Sequence, residues 1–212
     1  NIAIDGPSGV GKSTIADIVA EKLNMSHLDT GAMYRCVAYK TLKDHVDIHD
    51  EKAMSDLMDS IEIHFDEDNH VYLDGKDVSK EIRMNDVSMQ ASKTSQLSIV
   101  RKKLVNLQQK VCAKKGFIVD GRDICSVVLP DAEVKIFMSA SSKARAQRRY
   151  DEYISKGIDA DYETIYQDIV ARDYQDTHRE NSPLIKTEDA IEIDTSNLTI
   201  DEVVSKVLDI VE

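Results

Sequence analysis

Residues 2–13 read Ile-Ala-Ile-Asp-Gly-Pro-Ser-Gly-Val-Gly-Lys-Ser. A short apolar run enters a glycine-rich loop closed by Lys-Ser, which is the spacing G-x-x-x-x-G-K-[ST], and a helical pattern over Thr14 to Leu23 follows. No other feature constrains the fold as much, because this loop works only between a strand and a helix. The glycines at 6, 9 and 11 allow turns that a side chain would block. The loop N–H groups then face an anion with the helix N-terminus behind them. Gly6, Pro7, Ser8, Gly9, Val10, Gly11, Lys12, Ser13 and Thr14 therefore form a phosphate cradle. Lys12 is placed to reach β- and γ-phosphates and Ser13 to hold Mg²⁺, so the chain is expected to bind a nucleoside triphosphate such as ATP.

The rest of the chain must supply a sheet around that loop. Five short apolar runs, 2–5, 26–28, 117–120, 134–138 and 191–194, alternate with helical patterns. Such alternation predicts an α/β fold with a parallel sheet covered on both faces. Thr199 and Glu202 have capping-box spacing, and Ile200, Val203, Val204, Val207, Leu208 and Val211 make one apolar face of a last helix. The interval 37–112 breaks the alternation. Ile61 to Phe65 alternates with period two, Asp66 to Asn69 is a polar turn, and Val71-Tyr72-Leu73 completes a hairpin. A helix over 96–111 closes the interval. It reads as an inserted subdomain that carries the specificity for a second substrate, and a chimera lacking residues 60–80 would test this.

Composition limits the partners. The net charge of −12 over 212 residues disfavours sequence-independent binding to nucleic acid or to an anionic membrane. No apolar run reaches the ~18 residues of a membrane span. Cys36, Cys112 and Cys125 are odd in number and lack metal-ligand spacing, which suits reduced thiols in a cytoplasmic protein. An anion site in an acidic chain needs local cations. Six of the nine arginines, Arg122, Arg145, Arg148, Arg149, Arg172 and Arg179, fall between 122 and 179. Arg145, Arg148 and Arg149 share a helix face that reads equally as a phosphate clamp or as a solvated charged surface. Arg172, Asp176 and Arg179 share another if the helix persists, and a site role is favoured there. Ile154 to Ile158, with Gly157, is a candidate lid hinge. Phe117-Ile118-Val119-Asp120 is an apolar strand ending in an acid suited to Mg²⁺, and Gly121-Arg122-Asp123 follows at the ligand-binding edge of such sheets.

Taken in order, Leu28-Asp29-Thr30-Gly31-Ala32-Met33-Tyr34-Arg35, Asp120-Gly121-Arg122-Asp123-Ile124, Val127 to Ala132, Arg172-Asp173 to Arg179, Ser182-Pro183-Leu184 and Ile193-Asp194-Thr195 resemble the bacterial cytidylate kinases, a nucleoside monophosphate kinase family. The resemblance covers essentially the whole chain. It implies phosphoryl transfer from ATP to CMP or dCMP in pyrimidine nucleotide metabolism, a five-stranded parallel sheet, and a monomer. It implies a core of 1–36, 113–144 and 180–212, a monophosphate-binding insert over about 37–112, and a lid over about 145–179. By the same resemblance Arg35, Arg122 and Arg179 hold the acceptor phosphate, and Ser92, Arg101 and Asp123 read the cytosine. Arg172 and Asp176 meet the sugar, Thr30 and Gly31 line the acceptor pocket, and Arg148 joins the ATP site. Lys12, Asp120 and the three phosphate-holding arginines are then the catalytic set, with no protein nucleophile. Three departures stand out: Ile124-Cys125-Ser126 replaces Ile-Gly-Thr, His178 stands where asparagine is common, and Gln175 stands where some members carry arginine. Cys125 is expected to be tolerated and not catalytic, and a tenfold gain in Cys125→Gly would overturn this.

Overall fold

The apolar run after Asn1 becomes strand β1 (Ile2–Asp5), and all four of its residues are buried. In the computed structural model, which describes residues 1–66 and 69–211, β1 lies at the centre of a five-stranded sheet. The other strands are β2 (Ser26–Asp29), β6 (Phe117–Gly121), β7 (Val134–Ser139) and β8 (Ile191–Asp194), in the order β2-β6-β1-β7-β8. Ile2 pairs with Ile118 on one side and Val134 on the other, both in parallel register. β7 and β8 also pair in parallel. A strand with parallel neighbours on both sides is covered on both faces, which explains its unbroken apolar run.

Two helices pack one core against this sheet. α1 (Lys12–Leu23) contributes Ile15, Ala16 and Val19, and α8 (Ile200–Val211) contributes Val203, Val204 and Val207, against Ile2, Ile4, Ile118, Ile136 and Met138. α8 starts with the expected capping box. Thr199 Oγ1 accepts from the Glu202 N–H at 3.3 Å, and Glu202 Oε2 accepts from the Thr199 N–H at 2.8 Å. Ile200, expected on the apolar face, is instead 53% exposed and lies outside this core. α6 (Ser142–Ser155) and α7 (Tyr162–His178) form a helical pair around Ala146, Ile165 and Ile169, edged by Tyr150, Tyr153, Tyr162 and Tyr166. Between them Gly157 has φ 68°, the left-handed conformation that ends a helix and favours glycine.

The chain divides into two compact units, Asn1–Leu28 with the chain from Lys114 onward, and Asp29–Ala113. The second unit contains α2 (Thr30–Lys43), α3 (Glu51–Ser60), α4 (Asn85–Thr94) and α5 (Ser98–Cys112) with a small antiparallel sheet. The expected hairpin is β3 (Ile63–Phe65) against β4 (Val71–Leu73), in register Ile63↔Leu73 and Phe65↔Val71. Residues 67 and 68 of its expected turn lie outside the described residues. A third strand, β5 (Lys76–Asp77), was not expected. It follows the two-residue turn Asp74-Gly75, whose φ values of 50° and 77° suit a tight hairpin. The unit's core joins Ala32, Cys36 and Ala38 of α2 to Val71, Leu73, Val78, Ile82, Val87 and Ala91. Among the described residues no helix is long and apolar enough to cross a membrane.

Candidate active site

At the carboxyl end of β1 the chain turns sharply into α1. Gly11 caps the helix with φ 95°, a conformation a side chain would strain, and no side chain caps its N-terminus. The helix begins at Lys12, two residues before the expected start, because the glycine can turn directly into helical geometry. Gly6 is fixed by close approach: a Cβ there would lie 2.2 Å from the Met138 carbonyl oxygen. Gly6→Ala must therefore displace β7 or the loop. It is expected to cost about 1–3 kcal/mol in urea unfolding and to weaken binding of the nucleoside triphosphate expected at this loop.

Lys12 is only 6% exposed, and its Nζ donates to the Pro7 carbonyl at 2.9 Å. Burial, and then the nearby Arg122 guanidinium, pull its pKa down to about 7. Ser13 Oγ donates to Asp120 Oδ2 at 3.0 Å, so the phosphate loop and the end of β6 meet. His27, which sequence reasoning missed, joins them. Its ring donates to Asp17 Oδ1 at 2.6 Å and to Asp120 Oδ1 at 2.8 Å. Burial alone would lower its pKa, but the hydrogen bonds to Asp120 and Asp17 outweigh it and hold the pKa at about 10.

The hard oxygens of Ser13 and Asp120 stand side by side, a donor set that fits Mg²⁺. That ion usually takes one or two protein oxygens and completes its shell with phosphates and water.

In the same unit Arg122 Nε donates to Asp176 Oδ2 at 2.8 Å. Burial would raise the Asp176 pKa, but Arg122 beside it brings it below the usual carboxylate range, with help from Arg172 and Arg179. The sequence set Arg172, Asp176 and Arg179 on one helix face if the helix persisted, and it does not persist to Arg179. α7 ends at His178, and Arg179 is its extended C-cap, with Nε donating to the Ser182 carbonyl at 2.7 Å. Asp123 is 4% exposed and follows Arg122 directly.

The lid arginines divide. Arg145 is buried and bonded through both terminal nitrogens to Asp173, at 2.9 and 2.5 Å, and through Nη1 to the Ser8 carbonyl at 3.0 Å. It braces the phosphate loop from within the fold. Arg148 donates to the Thr195 carbonyl and side chain, and Thr195 Oγ1 in turn donates to the Val10 carbonyl at 3.3 Å. Cys125 is 2% exposed and is not in the left-handed region. Burial pushes its thiol pKa up, so it stays neutral, and its Sγ sits 3.7 Å from the Ala3 carbonyl oxygen.

In the second unit Asp29, also missed, organises the start of α2. Its Oδ1 accepts from the Ala32 N–H at 2.8 Å, and its Oδ2 accepts from Arg35 at 3.2 Å and Arg83 at 3.1 Å. Thr30 and Gly31 form that first turn, and a Cβ on Gly31 would come 3.1 Å from Asp29 Oδ1. Ser92 lies on α4. Arg101 lies on α5, 5% exposed, with its guanidinium 5.7 Å from the Tyr34 ring centroid.

Comparison with known proteins agrees with this construction. The family description "Cytidylate kinase" matches residues 2–212. A cytidylate kinase of Lactobacillus gasseri is 50% identical over 214 aligned positions, covering 100% of this chain and 93% of that protein. One of Bacillus velezensis is 50% identical over 215, covering 100% and 96%. A solved shikimate kinase from Bacteroides thetaiotaomicron aligns with a TM-score of 0.51 at 12% identity, covering 99% of this chain and 97% of that one, a likeness of fold. With a match along its whole length and half of its residues identical to those relatives, the chain belongs to the cytidylate kinase family.

Proposed function

We propose that the chain transfers the γ-phosphoryl group of ATP to CMP and dCMP, with the acceptor read by Asp123, Ser92 and Arg101. The observation that carries the reading is the full-length family match, joined to a phosphate loop whose Ser13 meets Asp120 and whose neighbouring strand end presents Arg122 and Asp123. Phosphoryl transfer needs alignment and charge stabilisation more than covalent help. Lys12 and the loop N–H groups hold the β- and γ-phosphates. Ser13 and Asp120 hold Mg²⁺, which when bound offsets triphosphate charge. Arg148 belongs to the ATP site. Arg35, Arg122 and Arg179 take the acceptor phosphate, Arg172 and Asp176 take the sugar, and Thr30 and Gly31 line the acceptor pocket. Residues 145–179 act as the lid. The unit of Asp29–Ala113 supplies acceptor specificity, and the protein acts as a monomer.

Asp123 explains the choice of base. A carboxylate accepts from the N4 amino group of cytosine, whereas uracil offers an oxygen there. An unpaired buried acceptor costs about 1–3 kcal/mol, so CMP should be preferred over UMP by roughly tenfold or more. The test is ADP release from Mg²⁺-ATP with CMP, dCMP, UMP, AMP and GMP, for the unaltered chain and for Asp123→Asn. CMP and dCMP should lead the panel, and Asp123→Asn should bring the CMP:UMP ratio down by about tenfold. An unchanged ratio would remove Asp123 from the base site.

A further inference from the structure

One buried carboxylate next to this site has no part in the roles above. Asp5 is the last residue of β1, paired in register with Gly121 of β6, and it is fully buried. Each of its oxygens accepts one backbone N–H: Ile124 donates to Oδ1 at 2.9 Å and Cys125 to Oδ2 at 2.7 Å. Those two N–H groups open a π-helical turn, Ile124–Val128, directly after Asp123, whose backbone (φ −145°, ψ 29°) is not helical. π-Helical turns are rare, and those inside α-helices are frequently found at functional sites.

We infer that Asp5 is a positioning residue for the acceptor: its two-point grip on the Ile124 and Cys125 amides fixes the backbone that presents Arg122 and Asp123. The inference rests on the reading that those two residues meet the acceptor nucleotide. The geometry is specific to a carboxylate. Two adjacent N–H donors need two acceptors, and asparagine would turn an NH₂ group toward one of them. The residue is kept against a cost, since burial raises its pKa to about 6 and the two amide bonds only partly offset this. It also explains how the Cys125 side chain is accommodated: its N–H holds Asp5, and its thiol is buried against Asp5 and the Ala3 and Ile136 carbonyls.

The competing explanation is that Asp5 only shapes the phosphate loop, because Gly6 follows it. The two differ in which substrate suffers. Asp5→Asn and Asp5→Ala are to be assayed with CMP, UMP and ATP varied separately, alongside Asp123→Asn. Positioning requires the KM for CMP to rise by about tenfold or more with the KM for ATP moved less than about twofold. It also requires the CMP:UMP ratio to fall in the Asp5 variants as it does in Asp123→Asn. Equal increases in both KM values, or no increase for CMP, overturn it. If Asp123→Asn leaves the base ratio unchanged, the base reading fails, and Asp5 is judged on the CMP-against-ATP split alone. A measurement on the unaltered chain guards against variants that do not fold. The Ile124 and Cys125 amides should resist hydrogen exchange as strongly as the amides of β1, and fast exchange at either removes the grip.

Discussion

Lys12→Met is expected to lower kcat for CMP phosphorylation by about 10²–10³, the range seen when one preorganised charge donor is removed from a reaction centre, and at the same time to raise the unfolding temperature. The first effect follows from the position of the Lys12 side chain, held inside the phosphate loop, where the proposed transfer would develop charge. The second follows from its cost. The native pKa of about 7 lies below the unfolded value of 10.5, so the native state binds fewer protons than the unfolded chain between those values. Its penalty on stability is therefore full below about pH 7 and fades as pH rises toward 10.5. Methionine keeps the alkyl volume and removes the buried charge. Steady-state kinetics and thermal unfolding at pH 7 check both halves. A lower unfolding temperature would show that the loop needs the cation to fold, and a kcat within tenfold of the original would remove Lys12 from the reaction centre.

The second large effect is expected at Asp173. Its partner Arg145 is 3% exposed and has a carboxylate on both terminal nitrogens. Removing one member of a buried pair strands the other and costs about 3–5 kcal/mol, less here because Asp173 is itself a quarter exposed. Asp173→Asn should thus lose about 2–4 kcal/mol in urea unfolding. Because Arg145 also holds the Ser8 carbonyl, the KM for ATP should rise with it. The double variant Arg145→Met with Asp173→Leu should recover at least half of the lost stability, since an apolar pair leaves no stranded charge. A loss under about 1 kcal/mol in the single variant would place the pair among ordinary surface bridges.

Much of this architecture was legible in the chain because the signals were local. The loop from Gly6 to Ser13 declared its strand, its helix and its ligand at once, and Asp120 was found because an acid at the end of an apolar strand is conspicuous. Thr199 and Glu202 announced α8. Strand β5 was missed although its sign, Asp74-Gly75, was present. A strand of two residues leaves no periodicity to read. The residues missed at the site share one property: each acts through a partner distant in sequence. Asp5 and Asp29 also stand at strand ends, but their roles, like those of His27 and Asp173, become visible only when the fold brings Cys125, Arg83, Asp120 or Arg145 against them. For Arg145 the sequence left a phosphate clamp and a solvated face equally open. The structure shows it buried against Asp173 and the Ser8 carbonyl rather than on a solvated face, and a partner 28 residues away cannot be seen from spacing.

The placement of β1 at the middle of the sheet also sets a timetable for the newborn chain. It is synthesised before both of its neighbours, which begin only at Phe117 and Val134. The whole Asp29–Ala113 unit, continuous in sequence, leaves the ribosome before either arrives. Until then Ile2-Ala3-Ile4 is an apolar strand with two open edges, the kind of segment that associates wrongly when exposed. The phosphate loop, made before both partners of its strand, thus takes shape only after they arrive. Sheet closure through such distant pairings makes folding slow compared with forming the helices on either side. An early-made, late-folded central strand is the segment for which a chaperone would have most use in this chain.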